Sequence, residues 1–326
     1  ADGSCLVRAR GPGYTGGMRI RIGTRASALA LWQTNWVADL LRAAHPGLEI
    51  DIVEIRTSGD KIQDRPLHLV GGKGLFIKEL ERALLDEDVD IAVHSMKDVP
   101  ATVAPGLGIV GMMPRASEFD ALVSRKYGSL AELPDGARVG TGAFRRQFQL
   151  LRSRPDLEVV GIRGNVGTRL SKLADPDLGL DAIVLAVAGL ERLGMGDQIT
   201  ERLTAETGFL PAIGQGAVGI EARDGDASTL AAVRAVADEI TEHRVRAERG
   251  VLMALEGDCT LPIAAYSTVR GNRIHLIARL GMPDASEILE GEVDGDLTDD
   301  EALGRALGSE LLERGGRELM ARLAHL

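Results

Sequence analysis

The feature that most constrains this chain is a change of rhythm along it. Over roughly the first two-thirds, short runs of β-branched residues alternate with helical patterns. From about Thr241 one long helical pattern is followed by three strand-like runs and a last helix. Alternation of the first kind implies a parallel or mixed α/β sheet, because parallel neighbours need a crossover and a helix usually supplies it. Residues 20–22 read as a strand. Gly23-Thr24-Arg25-Ala26-Ser27 is the turn into a helix whose apolar face carries Leu29, Trp32, Trp36, Val37, Leu40 and Leu41. Ser27 is its expected N-cap, and Pro46-Gly47 its stop. Residues 49–55 predict the next strand, and 57–74, rich in glycine and charge, a long functional loop. Phe76, Ile77, Leu80, Ala83 and Leu84 line a second helix, and 90–93 is a buried strand. The same rhythm runs through 121–193, with strands near Val139, Val159 and 183–185 and a helix over 145–154. Beyond Thr241 the strands are expected at 263–269, 274–280 and 288–293, with a last helix from about Asp299, which together suggest a separate α+β domain. No internal repeat is visible.

Composition narrows the class. A chain of 326 residues has room for two or three cores, and 44% hydrophobic with 26% charged residues is ordinary for a globular protein. The best apolar run, 182–190, is about half of what a membrane helix needs, so no membrane partner is expected. Residues 1–17 hold arginines and glycines without an apolar centre; they read as a poorly ordered extension and not as a secretory signal. Cys5 lies in that extension, which leaves Cys259 alone and makes a reducing cytoplasm the expected location. Six scattered histidines form no zinc motif, so no metal is expected. A net charge of −10 and only 3% aromatic residues argue against a nucleic-acid partner.

The charge is uneven. Arg145, Arg146, Arg152, Arg154, Arg163, Arg169 and Lys172 face only Asp156 and Glu158 in the same stretch. Arg145 and Arg146 stand at a helix start, where cations oppose the helix dipole at a cost of about 0.3–1 kcal/mol each. Arg169 falls in the first turn of a helix that Asn165 is expected to cap. An anion bound at these starts would be held by backbone N–H groups and guanidinium forks together; charge alone equally fits a solvated basic face. Asp98 follows Lys97 at the end of a strand, where α/β sheets place ligands, and it also fits a structural loop aspartate. Cys259, in Gly257-Asp258-Cys259-Thr260 after a helix, reads singly as an inert cysteine, and Lys73 as a loop lysine. Two glycine patterns, at 11–16 and 214–219, match G-x-G-x-x-G. Neither follows a strand and opens a helix, so a dinucleotide site is rejected.

In combination these stretches resemble one family. Gly23-Thr24-Arg25-Ala26-Ser27, Gly71-Gly72-Lys73-Gly74-Leu75-Phe76, Val93-His94-Ser95-Met96-Lys97-Asp98-Val99-Pro100, Arg163-Gly164-Asn165-Val166-Gly167-Thr168-Arg169, Leu185-Ala186-Val187-Ala188-Gly189-Leu190 and Pro211-Ala212-Ile213-Gly214-Gln215-Gly216 resemble, in order, the motifs of porphobilinogen deaminases (hydroxymethylbilane synthases). The resemblance runs from about Met18 to the C-terminus. It implies a transferase that joins four porphobilinogen molecules head to tail, releasing ammonia, to give hydroxymethylbilane for haem and related tetrapyrroles. It implies a dipyrromethane cofactor in thioether linkage to Cys259 as the primer. By resemblance Asp98 is the catalytic carboxylate, stabilising the positive charge that develops as ammonia leaves. Arg25, Ser27, Lys97, Arg145, Arg146 and Arg169 are implied to hold the cofactor, with Lys73 reaching it from the long loop. Arg163 and Arg192 are implied to bind substrate and the growing polypyrrole chain.

The implied fold is two periplasmic-binding-protein-like α/β lobes plus a smaller C-terminal α+β domain. Residues 18–115 and 214–238 would form domain 1, 116–213 domain 2 and 239–326 domain 3, in a monomer. Three places depart from the family pattern: Gly142-Ala143 where two serines are usual, Asp258 beside the anchor cysteine, and Leu69 at an often basic loop position. A two-lobed carboxylate-binding protein would share the lobes and the arginines but gives Cys259 and the third domain no role.

Overall fold

The computed structural model describes residues 18–57, 77–256 and 261–325. The extension 1–17, Lys73 with nearly all of its loop, the departures Leu69 and Asp258, and Cys259 lie outside them. The first sheet holds β1 (Arg19–Thr24), β2 (Glu49–Glu54), β3 (Ile91–Ser95), β4 (Leu107–Met112) and β10 (Val218–Arg223), in the order β2-β1-β3-β10-β4. Helices α1 (Ala28–Ala44) and α6 (Ala227–Arg234) cover one face through Val37, Ala38, Leu41, Ala232 and Val233. Helix α2 (Lys78–Leu85) covers the other through Leu80, Ala83 and Leu84. The second sheet holds β5 (Asp120–Ser124), β6 (Arg138–Gly140), β7 (Glu158–Val160), β8 (Ala182–Ala186) and β9 (Glu201–Leu203), in the order β7-β6-β8-β5-β9. Its faces are covered by α3 (Phe144–Ser153) and by α4 (Val166–Ala174) with α5 (Val187–Arg192).

The two sheets share one topology although the sequence repeats nothing. In each, one strand is flanked by two parallel partners, β1 by β2 and β3, and β6 by β7 and β8. In each, the next strand across is antiparallel to both neighbours: β10 lies between β3 and β4, and β5 between β8 and β9. Both antiparallel strands are the first to form after the chain has crossed from the other sheet. These are the two α/β lobes that the alternating rhythm and the resemblance led us to expect. A third, smaller unit follows: α7 (Glu239–Ala254), the antiparallel meander β11 (Ile263–Arg270), β12 (Arg273–Gly281) and β13 (Ile288–Asp296), then α8 (Asp300–Leu311) and α9 (Arg317–Leu323). Asp238 caps α7 by accepting from the Thr241 N–H at 2.7 Å, and α7 and α8 bury Ala247, Val251, Leu307 and Leu311 against the meander. The last helix is broken at Gly315, whose φ of 113° no helix tolerates.

Some local expectations need correction. The expected face of α1 holds for Val37, Leu41, Trp36 and Leu40 but is widened and turned: Gln33 and Thr34 are also buried, while Trp32 is exposed. Gln33 bonds Ser95 at 2.9 Å and Thr34 bonds Thr24 at 2.7 Å, so hydrogen bonding to β1 and β3 fixes the rotation of the helix. Strand β4, interrupted by Gly108 and Gly111, and the short α6 carry too weak a periodic signal to be read in advance.

Both crossings between the lobes, 113–119 and 204–217, are pinned to α7. The Arg115 guanidinium donates to both Glu248 oxygens at 2.6 and 2.9 Å and to the Gln215 carbonyl at 2.9 Å. Glu248 also accepts from Gly214 N–H at 2.9 Å and Ser267 Oγ at 2.7 Å. Burial alone would raise the Glu248 pKa, but the Arg115 charge and these donors hold it below the usual carboxylate range. Arg244 adds a 2.6 Å pair to Glu118. Among the described residues no helix is long and apolar enough to cross a membrane.

Candidate active site

Asp98 ends a single 3-10 turn, Met96–Asp98, at the C-terminal end of β3. The buried run Ile91–Ser95 carries the chain there, and Met96 N–H is anchored to the Ala217 carbonyl at 3.0 Å. The glycines that mimicked a dinucleotide motif serve this turn. A Cβ on Gly219 would lie 2.1 Å from Met96 Sδ, so β10 reaches the turn only because it has no side chain there.

Lys97 points toward the second lobe, with Nζ 3.2 Å from Gln215 Oε1. Burial pushes its ammonium down to about 8; the Arg146 and Arg145 charges add to the shift, and Asp98 and Asp120 oppose it. Arg145 and Arg146 stand in the first turn of α3 as expected, but they form no solvated face. Both are buried, and both converge on Asp120, a residue the sequence reading passed over. Asp120 Oδ2 accepts from Arg145 Nη1 at 2.6 Å, and Oδ1 accepts from Arg146 Nε at 3.0 Å, Arg146 Nη2 at 2.8 Å and Gln215 Nε2 at 2.9 Å. Burial works against ionisation of Asp120, yet the two guanidinium charges hold it well below the usual carboxylate range. The same burial lowers Arg145 despite Asp120. A charged residue inside the apolar run of β5 was the signal that could have revealed this hub.

From α4, whose predicted cap Asn165 accepts from Thr168 N–H at 2.8 Å, Arg169 reaches back to the Gly164 carbonyl at 2.8 Å. Burial pushes Arg169 down to about 10; Arg146 and Arg163 lower it further and Asp98 raises it. The Asp98 charge is therefore felt by Lys97 in its own lobe and by Arg169 in the other. Ser27 caps α1 from Ala30 N–H at 3.3 Å, and Arg25 lies in the turn that precedes it. Arg192 is turned elsewhere. Its guanidinium lies 5.6 and 5.8 Å from the ring centroids of Trp32 and Trp36, and Nη2 donates to the Gly216 carbonyl at 2.8 Å, tying α5 to α1.

The departure at Gly142-Ala143 also has a local meaning. A Cβ at Gly142 would sit 2.6 Å from the Ile162 carbonyl oxygen, so this backbone excludes a serine there. Ala143 is the N-cap of α3, and its methyl offers that helix no side-chain cap bond. The assembled charges are thus Lys97, Arg145, Arg146 and Arg169 against Asp98 and Asp120. Burial drives the Lys97 and Arg169 pKa values down, with neighbouring arginine charges adding to it, and a ligand carrying several carboxylates would stabilise these desolvated cations. The residues present fit a polyanionic pyrrole cofactor. Among the described residues, no group of three or more His, Cys, Asp or Glu side chains is arranged to hold a metal.

Comparison with known proteins agrees with the chemistry of this cleft. Residues 20–231 match the family model "Porphobilinogen deaminase, dipyromethane cofactor binding domain", and residues 243–313 match "Porphobilinogen deaminase, C-terminal domain". The porphobilinogen deaminase of Geobacter sulfurreducens is 50% identical over 303 residues, covering 93% of this chain and 94% of the relative. That of Pelobacter propionicus is 49% identical over 302 residues, covering 93% and 96%. Among solved structures, the methionine-binding protein MetQ aligns with a TM-score of 0.43 at 16% identity, over 67% of this chain and 89% of that one. Buried cations gathered around the Asp98 carboxylate, in a chain matched nearly end to end by relatives of one activity, lead to one assignment: this chain belongs to the porphobilinogen deaminase family, the dipyrromethane-dependent transferases of tetrapyrrole biosynthesis.

Proposed function

We propose that Asp98 is the catalytic carboxylate of this enzyme and that Cys259 Sγ carries the cofactor in thioether linkage. When bound, that cofactor supplies the pyrrole terminus to which four porphobilinogen molecules are joined in turn. The observation that carries the reading is the placement of Asp98 at the end of the turn after β3, beside Lys97, whose Nζ reaches Gln215 Oε1 at 3.2 Å, with Arg169 of the opposite lobe near enough to feel the Asp98 charge. Of the two carboxylates among these cations, Asp120 is already held by Arg145, Arg146 and Gln215, which leaves Asp98 as the one that can face a ligand. Lys97, Arg145, Arg146 and Arg169, with Arg25, Ser27 and Lys73, hold the cofactor's carboxylates. Arg163 and Arg192 bind the acetate and propionate of the incoming substrate, which requires Arg192 to leave its tryptophans.

The Asp98 carboxylate stabilises positive charge as it develops on the substrate's aminomethyl carbon, and its Oδ atoms hold or pass the proton of the departing amine. Asp120 does not share this work, because two guanidinium groups and Gln215 already occupy its oxygens. Domain 1 (18–115 and 214–238), domain 2 (116–213) and domain 3 (239–326) then supply the acid, the anion-binding wall and the anchor. Every group invoked comes from one chain, so we take the working unit to be a monomer, acting in the cytoplasm.

Asp98→Asn keeps the shape and removes the charge, so it should fold, bind and lose about 10²–10³-fold in single-turnover ammonia release from cofactor-loaded protein. Near-normal release would make the carboxylate structural. Peptide mapping by mass spectrometry should find the two-pyrrole adduct on Cys259; an unmodified Cys259 in active enzyme removes the anchor assignment.

A further inference from the structure

The backbone that follows Asp98 is held from outside its own lobe. Arg249, on α7, donates from Nη1 to the Val99 carbonyl at 3.1 Å, and from Nη2 to the Pro100 carbonyl at 2.7 Å and the Ala101 carbonyl at 3.1 Å. Three consecutive carbonyls on one guanidinium fix the direction of the chain over three residues, which a single bond to one of them does not. Pro100 itself has no N–H to donate, so its carbonyl is the one backbone group by which it can be held. Beyond it lies a cavity of about 600 Å³ whose lining includes Ala101, Thr102, Val103, Leu230, Arg249 and Met253, so the segment is open on that side. Arg249 is only 6% exposed. Burial pushes it down to about 10, with Glu301 opposing from a distance, so keeping this cation inside is unfavourable in itself. Its neighbour on α7, Glu248, pins the two crossings, and α7 runs directly into the segment that contains Cys259.

We propose that Arg249 is a positioning residue for Asp98: by holding the Val99, Pro100 and Ala101 carbonyls to α7, it sets the carboxylate against the helix that leads to the anchor cysteine. This rests on the reading of Asp98 as the catalytic group. A buried arginine that merely glued the C-terminal unit to the first lobe would affect stability. A positioning arginine affects the chemical step, because a misplacement of about 1 Å can cost on the order of 10²-fold in rate.

The test is a double-mutant cycle on cofactor-loaded enzyme, with occupancy checked by intact mass. Arg249→Met should keep KM within about twofold and lower kcat by roughly 10- to 10²-fold. Arg249→Lys, which keeps the charge but not the three-point hold, should recover part of that loss, and it carries the same cycle if the methionine variant does not fold. In an Asp98→Asn background the Arg249 change should cost no more than about a further twofold. Arg246→Gln is the control: Arg246 bonds Asp300 and Glu242, so its loss should lower the melting temperature without the kcat effect. A full additional loss in the Asp98→Asn background, or a change in KM alone, overturns the proposal. Should Asp98→Asn itself turn over normally, the catalytic reading falls first and the positioning role falls with it, a result distinct from additivity.

Discussion

Replacing Asp120 with asparagine tests whether the arginine pair is held open for an anion by a buried counter-charge. In the native protein one carboxylate bridges Arg145 and Arg146, offsetting one of their two charges, while accepting a further bond from Gln215. Asparagine retains the shape but leaves two guanidinium groups side by side with no anion. Removing one partner of a buried ion pair typically costs about 3–5 kcal/mol, because the remaining charge stays desolvated. At about 2–4 °C per kcal/mol for a unit of this size, the cofactor-free variant should melt roughly 6–20 °C below the wild type. The pH dependence is fixed by sign. The folded-state pKa of Asp120 is depressed, so its contribution is complete above the unfolded value of about 3.9 and is lost only as pH falls through the lower, folded value. Urea denaturation of both proteins should therefore give a stability gap that is flat between pH 5 and 8 and narrows only in strong acid. Loading the cofactor should shrink the gap at neutral pH, since its carboxylates replace the missing charge. A gap below about 1 kcal/mol at pH 7, or one that closes between pH 8 and 6, would refute the hub.

Arg146→Gln should leave mostly cofactor-free protein by intact mass, whereas Arg152→Gln should load normally, since Arg152 only meets exposed Glu290 at 3.0 Å and such pairs contribute about 0–1 kcal/mol. Ala143→Ser places a hydroxyl at an N-cap that already has extended backbone angles, and should raise stability in urea by about 1 kcal/mol; no gain would mean the first turn of α3 is satisfied in another way. Lys97 has a folded pKa near 8, below its unfolded value of about 10.4, so its ammonium destabilises the fold fully below pH 8 and ceases to do so as pH rises through the unfolded value. Lys97→Met should thus stabilise the cofactor-free protein at pH 7, with the advantage fading toward pH 10.

What the sequence made legible was what local patterns encode. The strand-helix alternation gave the lobes, and the run from Thr241 gave a helix, a three-strand meander and a closing helix. Ser27 and Asn165 were readable as caps because the cap chemistry lies within three residues of each. The repeated sheet order stayed hidden, since it depends on two crossings about a hundred residues apart. Asp120 was passed over because its partners on α3 and in the second crossing are set by tertiary packing. The burial of Arg145 and Arg146 was invisible for the same reason. Trp32 and Trp36 read as part of the apolar face of α1; Trp36 does pack on the core, but Trp32 is exposed, and both rings also meet Arg192, a cation from the other lobe. Nothing in the order of residues announces that Arg249 meets three carbonyls some 150 positions earlier.

The attachments between the lobes are of unequal stiffness, and this has a mechanical consequence. At α7 the crossings are fastened by a buried, bidentate Arg115–Glu248 pair, whose rupture costs about 3–5 kcal/mol. Between α1 and α5, the Arg192 guanidinium resting on two indoles contributes about 0.5–2 kcal/mol, and its bond to the Gly216 carbonyl about 1.5–3 more, neither of them an ion pair. A modest binding energy yields the second contact before the first. The molecule therefore behaves as a clamp with a rigid axle and a compliant catch. If the arginine-rich lobe swings, α5 should part from α1 before the hold of α7 on the crossings is disturbed. A catch built on the chain's only two tryptophans also makes that swing observable by intrinsic fluorescence, turnover by turnover.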